Sequence, residues 1–176
     1  SPLETGCGHP IIAWANGTGV AGVETYEFLH GHAASWGLVV IAAHDSGPVS
    51  SGEVQRAAID YLIAQNADPH SVFHHKLTGS AGTAGHAQGA FAAGAASQHP
   101  NVGAVAYLAG GMFRAGPGAP ALCLTGTQDL MECVSSHETA GGAAFLAIYE
   151  GADRVTTATS AGFAAMNRGT FQFMRL

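Results

Sequence analysis

Apolar residues gather along this chain in short, nearly unbroken runs, separated by segments of helical spacing. The first run, Ile11-Ile12-Ala13-Trp14-Ala15, lies between Pro10 and Asn16-Gly17-Thr18-Gly19. It predicts a buried strand ending in a tight loop, because glycine and proline interrupt regular elements. Val23, Tyr26, Leu29, Ala33 and Trp36 then recur at helical spacing, and Gly37 follows as a C-terminal cap. Residues 38–43 are continuously apolar and rich in β-branched side chains, which fits a parallel strand covered on both faces. A Ser/Gly/Pro-rich loop follows, in which Ser50 or Ser51 is expected to cap a second helix. The stripe predicted for that helix is Val54, Ala57, Ala58, Tyr61 and Leu62.

After Asn66 the pattern is irregular and polar, with His70, His74 and His75. A weak strand is expected near 80–84, then a helix of small residues over 87–98 whose alanines allow close approach to a sheet. Residues 102–108, 119–125 and 144–149 read as further strands. A weaker helix is expected over 134–142 and a terminal helix over 161–176, with Phe163, Met166, Thr170, Phe173 and Met174 on one side. Strands and helices alternate, and the strands are apolar throughout. That pattern predicts an α/β fold with a doubly wound, mostly parallel sheet. No repeat or linker divides the chain, so residues 1–176 read as one domain.

Composition narrows the function more than the fold. Hydrophobic residues make up 47% of the chain and charged residues only 10%, which describes a packed domain rather than a disordered one. The net charge is −6 and Lys76 is the only lysine, which argues against a nucleic-acid surface. No run of apolar residues is long enough for a transmembrane helix. No basic segment followed by an apolar one opens the chain, so no signal peptide is expected. Of the three cysteines, Cys123 lies in an apolar run and reads as a small buried hydrophobe. Pairing of Cys133 with Cys123 or with Cys7 stays open. His30 and His32, and His74 and His75, are close pairs, but zinc needs three or four convergent ligands, and residues two apart share no helix face. No metal and no cofactor is expected.

The candidate chemistry centres on Gly85-His86-Ala87-Gln88-Gly89. This is the G-x-S-x-G frame of a nucleophile elbow, a sharp strand-to-helix turn, with alanine in place of serine. Together with His9 to Gly19, Ala34-Ser35-Trp36-Gly37-Leu38-Val39-Val40, Asp60-Tyr61-Leu62, Lys76-Leu77 and Gly126-Thr127-Gln128-Asp129, it resembles the bacterial cutinase/lipase group and the related PET-hydrolase and dienelactone-hydrolase enzymes, in collinear order over nearly the whole chain. The resemblance implies an α/β-hydrolase fold of about six strands here, with the family's leading edge strands missing and no lid. It implies a serine ester hydrolase in a secreted or organellar setting.

Carried over by position, the family's triad falls on Ala87 for serine, Asp129 for the acid and Arg154 for histidine, where Gly151-Ala152-Asp153-Arg154 replaces the family's G-x-S-H. The backbone amides of Thr18 and Gln88 fall where the oxyanion hole would be. Alanine has no nucleophile, and guanidinium stays protonated and takes up no proton. An oxyanion hole without its triad retains only roughly 10³-fold catalysis over water. His137 and His86 are the nearby histidines, read as a surface residue and an ordinary structural neighbour of the elbow. Asp129 is a candidate ion-pair partner of Arg154.

Loss of serine and histidine together predicts an inactive hydrolase-fold protein serving as a binding or structural subunit, with an ester or hydrophobic ligand in the residual cleft or a protein assembly partner. The alternative is a carboxylic-ester hydrolase seen as an inactivated variant, or one using another base. Asn16-Gly17-Thr18 also matches a glycosylation sequon, but in the family this loop serves the backbone.

Overall fold

The computed structural model describes residues 7–19, 23–44, 51–110, 119–129, 133 and 143–154. Six strands form one sheet: β1 (His9–Ala15), β2 (Val39–Ala42), β3 (Leu77–His86), β4 (Val102–Leu108), β5 (Ala121–Gly126) and β6 (Ala144–Tyr149). Their order is β2-β1-β3-β4-β5-β6, and every neighbouring pair is parallel. The α-helices among the described residues are α1 (Glu27–Ser35), α2 (Glu53–Ala67) and α3 (Gln88–Ala96). Parallel neighbours need crossovers, and crossover helices cover the sheet, which is why the strands read as continuous apolar runs. This is the α/β-hydrolase fold.

Side-chain parity sorts the core onto two faces. On one, Ile11, Ala13, Leu77 and Ala81 meet Ile59 and Leu62 of α2. Further along that face, Val105, Tyr107, Ala121 and Cys123 meet Ala90 of α3 and Cys133. On the other, Trp14, Ala84 and Leu108 pack with Tyr26 and Leu29. Fully burying an Ile or Leu stabilises by about 1.5–3 kcal/mol, so α2 is held chiefly by Ile59 and Leu62.

Several sequence expectations need correction. Trp36 is 77% exposed instead of joining the core; it is the residue after the helix, which begins as a 3-10 turn (Val23–Tyr26) and ends at Ser35. Gly37 does cap it, with φ of 82°. Helix α2 buries Gln55, Ile59 and Leu62, while Tyr61 is 55% exposed. The buried stripe includes a polar residue because the Gln55 amide donates to the Trp14 carbonyl (3.2 Å). The N-cap of α2 is Gly52, not a serine. A Cβ there would press on the backbone of Ala92, Ala95 and Ala96 in α3, so only glycine lets the two helices meet. Ser51 still contributes, accepting a long bond from the Glu53 N–H (3.4 Å).

Strand β3 runs ten residues, from Leu77 to His86, through a sequence of low strand propensity. Pairing with β1 on one side and β4 on the other overrides that propensity. Cys123 is buried as expected but is not free: it is bridged to Cys133, with Cα atoms 5.9 Å apart, while Cys7 is an exposed free thiol. The helices expected over 134–142 and 161–176, and His137, lie outside the described residues. No helix among the described residues is long and apolar enough to cross a membrane.

Candidate functional site

The strand order reverses between β1 and β3: the chain leaves β1 for β2 on one side, then returns as β3 on the other. In open parallel sheets the crevice at such a switch point, beyond the C-terminal strand ends, is where ligands bind. Two of the residues flanking this crevice are Thr18, after β1, and Ala87, after β3.

Ala87 occupies the turn itself, with φ of 49° and ψ of −118°. A left-handed φ at a non-glycine residue is strained, by about 1–3 kcal/mol. The neighbours over-determine it. The Ala87 N–H donates to the Leu108 carbonyl (2.9 Å), extending the β3–β4 ladder, and the Ala90 N–H donates back to the Ala87 carbonyl (3.1 Å). A Cβ on Gly85 would collide with the Gly89 carbonyl, and one on Gly89 with the carbonyls of Ala15 and Asn16. The two glycines of the motif thus let β3, α3 and the end of β1 converge. Gly110, after β4, lies against the Ala87 backbone in the same way. The turn is built as the G-x-S-x-G elbow is built, and it presents a methyl group.

The loop after β1 closes over this turn. The Thr18 hydroxyl donates to the Gln88 side-chain carbonyl, bridging this loop to the first residue of α3. Asn16 anchors the same loop: it accepts from the Trp14 indole N–H (2.9 Å) and donates to the Ala43 carbonyl beyond β2 (2.9 Å). The amide of the sequon asparagine is thus engaged within the fold.

On the other flank, the loops after β5 and β6 are laced together. Thr127 N–H donates to the Tyr149 carbonyl (2.9 Å), Gln128 N–H to the Ala152 carbonyl (3.0 Å), and Gly151 N–H to the Thr127 hydroxyl (2.8 Å). This lacing brings Asp129 and Arg154 side by side. Arg154 Nε and Nη2 donate to the two oxygens of Asp129, at 2.9 and 3.0 Å. The ion pair entertained from the sequence is present, in the planar two-pronged geometry that arginine favours. It is partly open to solvent, with side chains 48% and 21% exposed for Arg154 and Asp129.

His86 ties the two flanks together, a role the sequence did not reveal. Its Nε2 lies 2.9 Å from the Arg154 carbonyl, which can only accept, so Nε2 carries the proton. The neutral ring then accepts at Nδ1 from the Tyr26 hydroxyl (2.9 Å), and that hydroxyl accepts from the Gly17 N–H (3.0 Å). Burial pushes the His86 imidazole below the usual histidine range. The bond to the Arg154 carbonyl works against that shift, the Arg154 charge adds to it, and the Asp129 carboxylate opposes it. Burial also raises the Tyr26 phenol. His86 therefore holds its proton facing a carbonyl and is committed to structure.

At the elbow, then, the described residues place the Ala87 methyl and a neutral imidazole bonded at both nitrogens, and through the Arg154 carbonyl they tie in a carboxylate paired with guanidinium. No group of three or more metal-ligating side chains occurs among the described residues. His30 packs edge-on to Trp14 (ring centroids 5.0 Å apart), and the His74 and His75 rings lie 3.9 Å apart.

No protein-family model and no curated protein matches the sequence. Among solved structures, the chain is similar to a dienelactone hydrolase from Anabaena variabilis ATCC 29413, with a TM-score of 0.65. The likeness covers 92% of this chain and 83% of that one at 16% identity. At that identity it bears on the fold alone.

Proposed function

We propose that this chain is a non-hydrolytic α/β-hydrolase-fold protein of cutinase/esterase ancestry, whose cleft binds where an ancestor cleaved. The observation that carries this is the pairing of a strained, intact elbow with Ala87 at its apex and an Asp129–Arg154 ion pair whose arginine is tied to the elbow through His86. In this reading Ala87 stands at the nucleophile position, Asp129 at the acid position and Arg154 at the histidine position. The backbone amides of Thr18 and Gln88 are the remnant of an oxyanion hole. Acyl transfer needs a nucleophile and a base that takes and returns its proton, and neither Ala87 nor Arg154 handles a proton. What remains suits an ester-bearing or hydrophobic ligand, or packing as a subunit against a protein partner. The test is turnover of p-nitrophenyl butyrate together with labelling by a fluorophosphonate. Background turnover and no label support the proposal; turnover at enzymatic rates overturns it.

A second reading draws on the strain at Ala87. A costly backbone conformation with no side chain to present fits a site that has lost its serine recently, or a variant of a working carboxylic-ester hydrolase. The codon at position 87 in the native gene decides this. Serine there, with a histidine at 154, supports the enzyme; alanine and arginine support the binding protein.

A further inference from the structure

We propose that Tyr26 and His86 form a proton-sensitive latch, which ties the Gly17–Thr18 loop to the Arg154 turn beside the elbow and releases the loop when the imidazole is protonated. Its regulatory consequence, an aperture that widens in acid, rests on reading the cleft as a binding site. The latch itself rests on one continuous chain of hydrogen bonds. Gly17 N–H donates to the Tyr26 oxygen, Tyr26 O–H to His86 Nδ1, and His86 Nε2–H to the Arg154 carbonyl, each within 3.0 Å. Segments 9, 60 and 68 residues apart in sequence are joined through two rings. There is no slack around them. Tyr26 is fully buried and His86 is 5% exposed, and a Cβ on Gly17 would meet His86 Nδ1 at 2.8 Å.

Protonation breaks the chain at a defined point. Imidazolium carries N–H at both nitrogens and accepts nothing. Nδ1–H then faces the Tyr26 oxygen, and the phenolic hydrogen of a fully buried residue loses its acceptor. The hydroxyl hydrogen must turn away from the ring into a buried surround, and Nδ1–H then competes with the Gly17 N–H for the same oxygen, which weakens the hold on Gly17. The titratable and charged groups facing the ring among the described residues are Tyr26 from the 3-10 turn, Asp129 from the loop after β5 and Arg154 from the turn after β6. His30 of α1 lies one ring further out, with its centroid 5.9 Å from that of Tyr26. Arg154 opposes protonation of His86 and Asp129 assists it, and these two are already paired with each other. The Tyr26–His86 bond is thus the contact that changes most when the ring takes up a proton.

The test is the amide exchange of Gly17 in the isotopically labelled protein, expressed relative to its intrinsic rate, across the titration of His86. In the wild type the latch predicts Nε2-protonated, Nδ1-bare imidazole at neutral pH by nitrogen chemical shift. It also predicts that Gly17 protection falls roughly tenfold or more in acid, the loss expected when a buried hydroxyl is left unsatisfied. His86→Gln carries an acceptor oxygen and a donor nitrogen, in place of the ring's acceptor and donor nitrogens, and does not titrate, so it should stay protected throughout. Tyr26→Phe should lose Gly17 protection at every pH. The opposite tautomer, constant wild-type protection, or wild-type pH dependence in His86→Gln each overturns the latch; should a variant not fold, the wild-type titration decides alone. Ester turnover in the same sample reports separately on the proposed function: an active enzyme with a titrating Gly17 overturns that and leaves the latch standing.

Discussion

Arg154 donates two hydrogen bonds to the Asp129 carboxylate, from Nε at 2.9 Å and Nη2 at 3.0 Å. The pair joins the loops after β5 and β6, and both loops are already laced by backbone bonds. With Arg154 about half exposed, solvent screens the interaction, and its contribution is about 0–1 kcal/mol. Arg154→Ala should therefore lower unfolding free energy by no more than about 1 kcal/mol in urea titrations, less at high salt. A loss several times larger would mean that the pair braces the site.

The glycines of the elbow should be far less tolerant. Gly89→Ala places a methyl on the backbone carbonyls of Ala15 and Asn16, where nothing flexible can yield. It should cost about 3 kcal/mol or more, at the top of the overpacking range. Gly31→Ala is the control. Gly31 sits inside α1 with nothing within 4 Å of its Cβ position, so the change should stabilise by about 0.5–1 kcal/mol. Chemical denaturation of both variants checks the contrast.

Ala87→Gly should release stored strain. Glycine adopts φ of 49° without steric cost, though it adds entropy to the unfolded chain. The net expectation is a gain of about 1 kcal/mol, the strain relief less the entropic term. A loss of stability on calorimetry would mean that the turn is relaxed as built.

Acid should destabilise the fold through two histidines. Burial lowers both His86 and His30 below the usual histidine range. The unfolded chain thus binds protons at a higher pH than the native one, so stability rises with pH between the two values. Their contribution is complete above the unfolded pKa of about 6.5 and is lost as pH falls through the folded values. Unfolding free energy measured from neutral pH downward should fall, and His86→Gln should flatten part of that fall.

The sequence made the sheet legible because parallel strands buried on both faces leave continuous apolar runs; residues 102–108 and 144–149 fall on β4 and β6 without adjustment. It showed only the middle of β3, as a weak strand near 80–84, because its glycines and alanines become a ten-residue strand only between two partners. It also misplaced the buried face of α2, since a polar Gln55 reads as exposed until its bond to the Trp14 carbonyl is known. At the site, Ala87, Asp129 and Arg154 were each visible as residue types in a motif order. The tie between Tyr26, a residue of the helical stripe, and His86, a structural neighbour of the elbow, was not, because it spans 60 residues and neither ring announces a partner.

The most direct test of the proposed function is to place serine at 87 and histidine at 154 and measure ester turnover. Ala87→Ser alone supplies a hydroxyl without a base, and Arg154→His alone supplies an imidazole beside Asp129 without a nucleophile. Both single variants and the wild type should hydrolyse p-nitrophenyl butyrate at background rates. The double variant A87S/R154H should exceed background by about 10²-fold or more, the scale of general acid–base catalysis in an assembled site. A double variant that keeps the wild-type unfolding transition yet is no faster than the singles would contradict the account, as would a wild-type protein that turns the ester over at enzymatic rates.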